Sequence, residues 1–415
     1  MNREDFIALL SPEGQQLLAR VDYDSKTDVV KLVSHLRAEG FDSAMVATVL
    51  TQAKLRRRAA AKFGEFAGRM LFTEPGLEQA SRLSVAALHA GRFKNAGAQS
   101  VADLGCGIGT ESLAFASVDL DVRAYELDEV TAAVATYNLN IFENARVEQA
   151  DITTLKLEAF DGIFFDPARR ELSGGKGERA IRKFDPAQFA PNFDWVTEQC
   201  KQHVADSAKH SAGIKLGPGH PHEAIDDSAE AQWVSVKGDL VELGLWFGAA
   251  ARPNVKRSAL LIDGAGKHHE ITSDSAERLD APYGELGEFI YEPDNAIIRS
   301  HLLGQLANSL DLHIFANEIA YLSSGAAATS VQNSPWLKSY RVLDNLAFDR
   351  KKLKTYLRER NIGTLEIKKR GSDVVPEQLR KEMALKGEGA ATLIVTRVGD
   401  AHRVLVAEPL VALHA

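Results

Sequence analysis

Cysteine is nearly absent from this chain, with two in 415 residues, Cys106 and Cys200. Two cysteines cannot build a disulfide framework or a cysteine-rich metal site, and their scarcity fits a reducing compartment. Long apolar runs are also missing, so no segment approaches membrane-spanning length. The stretch MNREDFIALLSPEG carries acids where a secretory leader would carry a basic region. A cytoplasmic protein with no membrane partner is expected. Excess positive charge is lacking too, at a formal net charge of −8, which excludes a chain that is basic throughout. The average hides a segregated pattern. From Pro335 onward there are 16 lysines and arginines against 10 aspartates and glutamates, net +6, which leaves −14 for everything before it. No internal repeat or extended low-complexity segment is present, and the length exceeds what one core usually serves, so several domains are expected.

The pattern divides the chain in four. Residues 1–95 read as a helical region, with apolar residues spaced three and four apart, as in Phe6, Leu9, Leu10 and Val46, Val49, Leu50. Ser11-Pro12 reads as an N-cap with proline at the first helical position. Over residues 96–250 the period changes. Short apolar runs at Val101–Leu104, Val122–Tyr125, Gly162–Phe165 and Ala212–Leu216 alternate with helix-length segments, the signature of βα units on a parallel sheet. Gln232–Val236 and Leu240–Phe247 read as strands of a hairpin turning at Lys237-Gly238-Asp239. Residues 251–334 read as a hairpin with its turn at Asp263–Gly266, a loop at Gly284–Pro293, one short helix at Asn295–Leu306 and a small polar linker at Ser323–Ser334. Residues 335–415 read as a compact α+β module.

The glycines of Asp103-Leu104-Gly105-Cys106-Gly107-Ile108-Gly109-Thr110 let the backbone turn sharply from strand to helix and approach a ligand closely. A dinucleotide fingerprint would space them GxGxxG. Here the third glycine comes one residue early, and Asp103 precedes the loop. A carboxylate there would repel a pyrophosphate but suits the cationic amino-acid end of S-adenosylmethionine. Glu126 ends the next strand, placed to accept hydrogen bonds from ribose hydroxyls. Asp151 follows one strand later, placed to accept from an adenine amino group. With their neighbours Leu127 and Ile152, these residues fall in the order of a class I methyltransferase, which residues 96–248 resemble. Gln79 is a further candidate at the methionine end.

The next strand ends in Asp166-Pro167-Ala168-Arg169-Arg170. Methyltransferases acting on base nitrogens commonly have an acid or amide here, followed by two prolines and an aromatic. The side-chain oxygen and the proline carbonyl then orient the acceptor nitrogen, and transfer is largely a matter of positioning. This sequence has Ala168 and Arg169 where that pattern has proline and the aromatic. Arg169 and Arg170 could clamp a phosphate or stack on a base, the Ser173–Arg179 loop could close over a polyanion, and Phe184 or Trp195 could supply a stacking face. Lys215, in Ile214-Lys215-Leu216-Gly217-Pro218-Gly219, could meet a substrate phosphate or pair with a nearby acid. His220 and His222 lack metal-ligand spacing and read as surface residues, so no metal is expected.

Between Arg350 and Arg370 nine basic residues stand against two acids, among them Lys351, Lys352, Lys368, Lys369 and Arg370, and one basic face able to contact phosphates is expected. Taken with the Asp166–Arg170 run and the strand end at Lys215, the segment Leu365–Gly371 resembles a bacterial family of class I methyltransferases with a ferredoxin-like insert and a C-terminal THUMP-like domain. That resemblance implies an α/β, Rossmann-like sheet with an N-terminal helical region and C-terminal α+β domains, S-adenosylmethionine as cofactor and RNA, tRNA or rRNA, as partner. Methylation of a protein or small molecule and a non-catalytic binding module are the alternatives.

Overall fold

The computed structural model describes residues 1–24, 26–169, 189–326 and 328–410. It divides into two compact units. The first comprises Met1–Leu216, His220–Ala229 and Gly244–Pro253, and the second Gly217–Gly219, Glu230–Leu243 and Asn254–Ala415.

The first unit opens with helices α1 (Arg3–Leu10), α2 (Pro12–Arg20), α3 (Val29–Ala38), α4 (Ser43–Phe63), α5 (Glu74–Gln79) and α6 (Leu83–Asn95). The starts of α1 to α5 follow from their capping side chains. Asn2 forms a reciprocal box with Asp5, and Ser11 accepts from the Gly14 amide with Pro12 at the first helical position, as expected. In α4 the residues Val46, Val49, Leu50 and Ala53 turn one stripe inward.

The βα units follow: β1 (Ser100–Leu104), α7 (Thr110–Ser117), β2 (Asp121–Glu126), α8 (Glu129–Leu139), β3 (Ala145–Gln149), β4 (Gly162–Phe165), the two-residue β5 (Ala168–Arg169) and β6 (Phe189–Ala190), α9 (Phe193–Asp206) and β7 (Ser211–Leu216). Strands β7, β4, β1, β2 and β3 lie in that order and pair in parallel. The register sets Leu104 opposite Tyr125 and Phe165, and Phe165 opposite Ile214. Gly105, Glu126, Asp166 and Lys215 therefore each stand one residue past a level row, at one carboxyl edge. Beneath the sheet Phe93 meets Phe115 edge-on at 5.3 Å, and Phe115 meets Phe164 at 5.5 Å.

In the second unit β8 (Glu230–Val236) leads through Lys237 and Gly238, both at positive φ (54° and 86°), into β9 (Asp239–Gly248), the tight turn a two-residue hairpin needs. The expected hairpin is β10 (Arg257–Ile262) with β11 (His268–Ser273), and β10 runs parallel to β8. Next come β12 (Phe289–Pro293), α10 (Asn295–Arg299), α11 (Leu303–Ser309), β13 (His313–Ile314), β14 (Leu322–Ser324) and α12 (Thr329–Gln332). The chain then continues through β15 (Leu337–Ala347), α13 (Arg350–Glu359), β16 (Ile362–Lys369), α14 (Pro376–Met383), β17 (Gly389–Val398) and β18 (Ala401–Pro409). A seven-stranded sheet takes the order β13-β14-β12-β15-β18-β17-β16, so it draws strands from both sides of residue 334.

Three expectations change here. The loop expected at Gly284–Pro293 contains β12, paired on one side with β14 and on the other with β15. The single helix expected at Asn295–Leu306 is two, interrupted where His301 takes φ 64°. Ser323–Ser334 is no linker. The Ser323 hydroxyl donates to the Phe289 carbonyl and accepts from the Gly287 amide, so a small polar residue is used inside the sheet. Among the described residues no helix is long and apolar enough to cross a membrane.

Candidate functional site

At the carboxyl edge of the first unit's sheet lies a cavity of about 660 Å³, within the range of small-ligand sites. Its floor is the glycine loop. Gly105, Gly107 and Gly109 sit at φ 85°, 55° and 84°, a region that L side chains rarely adopt. A side chain at Gly105 would approach the Asp166 carbonyl at 3.1 Å, whereas one at Gly107 would enter open space. The Gly107 amide donates to Glu126 Oε2 at 3.0 Å, and Glu126 Oε1 accepts from the Asp128 amide at 3.0 Å. The acid that ends β2 is thus aimed at the loop, with acceptor capacity remaining on both oxygens.

Leu127, Asp151 and Ile152 line the same cavity. Asp151 accepts from the Thr153 hydroxyl and amide, and those bonds hold its carboxyl below the ordinary value. Asp103 is placed differently. It is fully buried and does not line the cavity, and the Ser112 hydroxyl donates to its Oδ2. Burial pushes its carboxyl up to about 7 against the opposing Ser112 hydrogen bond.

Asp166 and Pro167 follow β4 on the cavity wall. Lys215 Nζ lies 2.5 Å from Asp166 Oδ2, 3.2 Å from Ser81 Oγ and 3.4 Å from the Gln79 carbonyl. Of the two roles the sequence left open for Lys215, the structure shows pairing with the acid. Gln79 itself lines the cavity.

Two features carry no signal in the sequence. Glu111, in the first turn of α7, is buried in the cavity wall with its Oε2 2.9 Å from His89 Nδ1. Burial alone would raise the Glu111 carboxyl, but the His89 ring, with Lys215 and the Ser81 hydroxyl, holds the group low. Lys62 donates to the carbonyls of Leu77, Glu78 and Ala80 at the end of α5, and burial, with Lys215 and Arg82 nearby, lowers it to about 8. Both pairings join residues distant in sequence, which only the fold brings together.

The remaining candidates are dispersed. Arg169 stands on β5, while Arg170, the Ser173–Arg179 loop and Phe184 lie outside the described residues. Trp195, half-buried on α9, meets Phe165 edge-on at 6.1 Å. His220 is not a surface residue as expected but fully buried against Phe193, with ring centroids 4.5 Å apart. Among the described residues no cluster of three metal-ligating side chains forms.

In the second unit the basic segment is split rather than gathered on one face. Lys351 and Lys352 are exposed at the start of α13, and Lys369 is exposed at the end of β16. Lys368 instead pairs with Glu292 at 2.7 Å beneath the Tyr340 ring, and the Arg370 guanidinium donates to the Ala320 carbonyl over Tyr321. Alternation along β16 explains the split, since neighbouring residues on a strand point to opposite faces.

The cavity suits the ligand expected from the loop. Among the described residues that line it, Glu111, Glu126, Asp128, Asp151 and Asp166 stand against one cation, Lys215. That balance disfavours a pyrophosphate and favours a cationic sulfonium and ammonium. Asp103 Oδ1, Thr110 Oγ1 and Glu111 Oε1 are buried around the loop without a hydrogen-bond partner. Buried acceptors left open in this way call for a donor.

Two sequence-family models match the chain, one described as THUMP domain-like over residues 337–409 and one as a domain of unknown function over residues 2–59. An uncharacterized S-adenosylmethionine-dependent methyltransferase of Mycobacterium tuberculosis, known from two strains, is 29% identical over 355 residues, 83% of this chain and 91% of the relative. A crystal structure from Porphyromonas gingivalis, provisionally named a methyltransferase, superposes with a TM-score of 0.67 at 19% identity, covering 93% of this chain and 99% of that one. That likeness shows the fold. By cavity, fold and sequence together, the chain is an S-adenosylmethionine-dependent methyltransferase with a THUMP-domain-like region over residues 337–409.

Proposed function

We propose that the protein methylates a base nitrogen in structured RNA, tRNA or rRNA. The observation that carries this reading is the position of Asp166-Pro167, one residue past β4, beside the glycine loop and anchored by Lys215. S-adenosylmethionine, when bound, supplies an electrophilic methyl group on a sulfonium. Gly105, Gly107, Glu126, Leu127, Asp151 and Ile152 would hold it. The Asp166 carboxylate and the Pro167 carbonyl are then the acceptors that orient a nitrogen by taking hydrogen bonds from it. Lys215 pairs with the carboxylate at Oδ2 and so fixes its place on the cavity wall. The THUMP-domain-like region supports RNA as the substrate, since modules of that kind bind RNA, and the exposed Lys351, Lys352 and Lys369 supply charge for engaging phosphates.

The test is transfer of labelled methyl from S-adenosylmethionine into RNA isolated from a strain lacking the gene. Wild type should label one RNA. Asp166→Ala should lower transfer by about a hundredfold or more while keeping cofactor affinity within a few fold, the pattern expected when the acceptor is no longer oriented. Labelling of protein extract with no labelling of RNA would replace this substrate class.

A further inference from the structure

Helix α4 carries three consecutive arginines, Arg56, Arg57 and Arg58, which at about 100° per residue point in three directions. Arg58 pairs with Glu74 and lies 3.8 Å from Glu78. Arg56 and Arg57 form no ion pair with a carboxylate among the described residues. Both instead line a cleft of about 580 Å³ among the N-terminal helices, together with Leu18, Val21, Tyr23 and Gly68. Arg56 is half-buried, and its Nε donates to the Met70 carbonyl at 2.9 Å. Burial depresses its pKa, opposed only by the neighbouring Tyr137 hydroxyl. A desolvated guanidinium compensated by neutral acceptors alone is an unusual arrangement, because buried charges are ordinarily paired. Arg57 is exposed at the rim. Two acids lie close, and Asp24 interacts electrostatically with Arg57 across the exposed rim. Asp22 is exposed on the cleft lining, and Asp24 is held by the Thr27 hydroxyl and the Lys26 amide.

We propose that this cleft binds a nucleotide unit, with its phosphate between the Arg56 and Arg57 guanidiniums and its base against the Tyr23 ring and the Leu18 and Val21 side chains. Guanidiniums present several donors to one phosphate, and an aromatic ring beside an apolar wall accepts a base of any identity. The volume is that of a small-ligand site. The site is separate from the methyl-transfer cavity, and it stands whether or not RNA is the methylated substrate. A free nucleotide and a nucleotide within an RNA strand share this chemistry.

The test uses the full chain saturated with S-adenosylhomocysteine, so that the cofactor cavity is closed to added nucleotide. Uridine monophosphate is titrated calorimetrically, and a ten-residue oligoribonucleotide by fluorescence anisotropy, against wild type, Arg57→Gln and Arg57→Lys. Arg57 is exposed, so neither substitution threatens the fold. Wild type should bind, Arg57→Gln should bind about tenfold more weakly, as expected on removing one charge-assisted hydrogen bond, and Arg57→Lys should fall between. Binding of both probes assigns the site to free nucleotides, and binding of the oligonucleotide alone assigns it to the strand. The inference is overturned if wild type binds neither probe, or if Arg57→Gln binds as tightly as wild type. An oligonucleotide held equally by wild type and Arg57→Gln but released by Lys351→Glu/Lys352→Glu would overturn this site and leave the RNA reading intact.

Discussion

The Asp103 carboxyl lies at the end of β1 with no exposure to solvent, and burial pushes it up to about 7. Its folded-state pKa is therefore raised above the unfolded value near 4, so the folded chain holds a proton that the unfolded chain has released. The sign follows: this group weakens the protein as pH rises from about 4 to about 7, by at most about 4 kcal/mol at the upper end. Melting temperatures of wild type and Asp103→Asn across that range should diverge, with the variant gaining on wild type as pH rises. Parallel curves would mean that the buried carboxyl is not what titrates. The residue was recognisable in the sequence from its place before the glycine loop, but its burial was not. A strand-end acid reads the same whether it faces a ligand or a hydroxyl such as that of Ser112, and Ser112 reaches it only because α7 folds back over β1.

At the scale of elements, close approach of strands to aromatic rings sets what the sheet tolerates. A side chain at Gly213 on β7 would lie 2.8 Å from the Trp246 ring and 2.9 Å from Phe164, both fully buried. Neither ring has room to move, so Gly213→Ala should cost about 1–3 kcal/mol, read as a lower denaturant midpoint with an unchanged slope. An unchanged midpoint would show that the core gives more than its packing suggests. The sheet itself was legible because each strand is a short apolar run between helical stretches, and four such runs fall on β1, β2, β4 and β7. β12 escaped because its apolar run is only Phe289–Tyr291, framed by the turn-forming Gly284, Gly287 and Pro293. It becomes a strand because β14 and β15, from elsewhere in the chain, supply partners on both sides.

At the scale of the molecule, charge is segregated: the acid-lined cavity belongs to one unit, and the exposed Lys351, Lys352 and Lys369 to the other. On the proposed RNA reading, Lys351→Glu/Lys352→Glu should weaken RNA binding across sequences. It should also reduce the dependence of log affinity on log salt by about 1 for each phosphate no longer engaged. Folding and cofactor binding should be unaffected, since both side chains are exposed. An unaltered salt slope would move the RNA-binding surface elsewhere. Point substitutions are the sound probe here. Removing the chain beyond Ser334 would take β15, β16, β17 and β18 out of a sheet that β12, β13 and β14 share.

The sequence by itself determined the order of the chemistry along the chain: a glycine loop, an acid one strand later, another after the next, then Asp166-Pro167 and Lys215. These are local patterns of residue type and spacing, and strand periodicity is enough to put each at a strand end. Only the tertiary structure decided which charges meet. It set Lys215 against Asp166 and Glu111 against His89, turned Lys368 and Arg370 inward, and left Arg56 and Arg57 facing an open cleft. The physical reason is that ion pairing, burial and strand partnership depend on separations in space between residues up to dozens of positions apart, and no spacing along the chain encodes them.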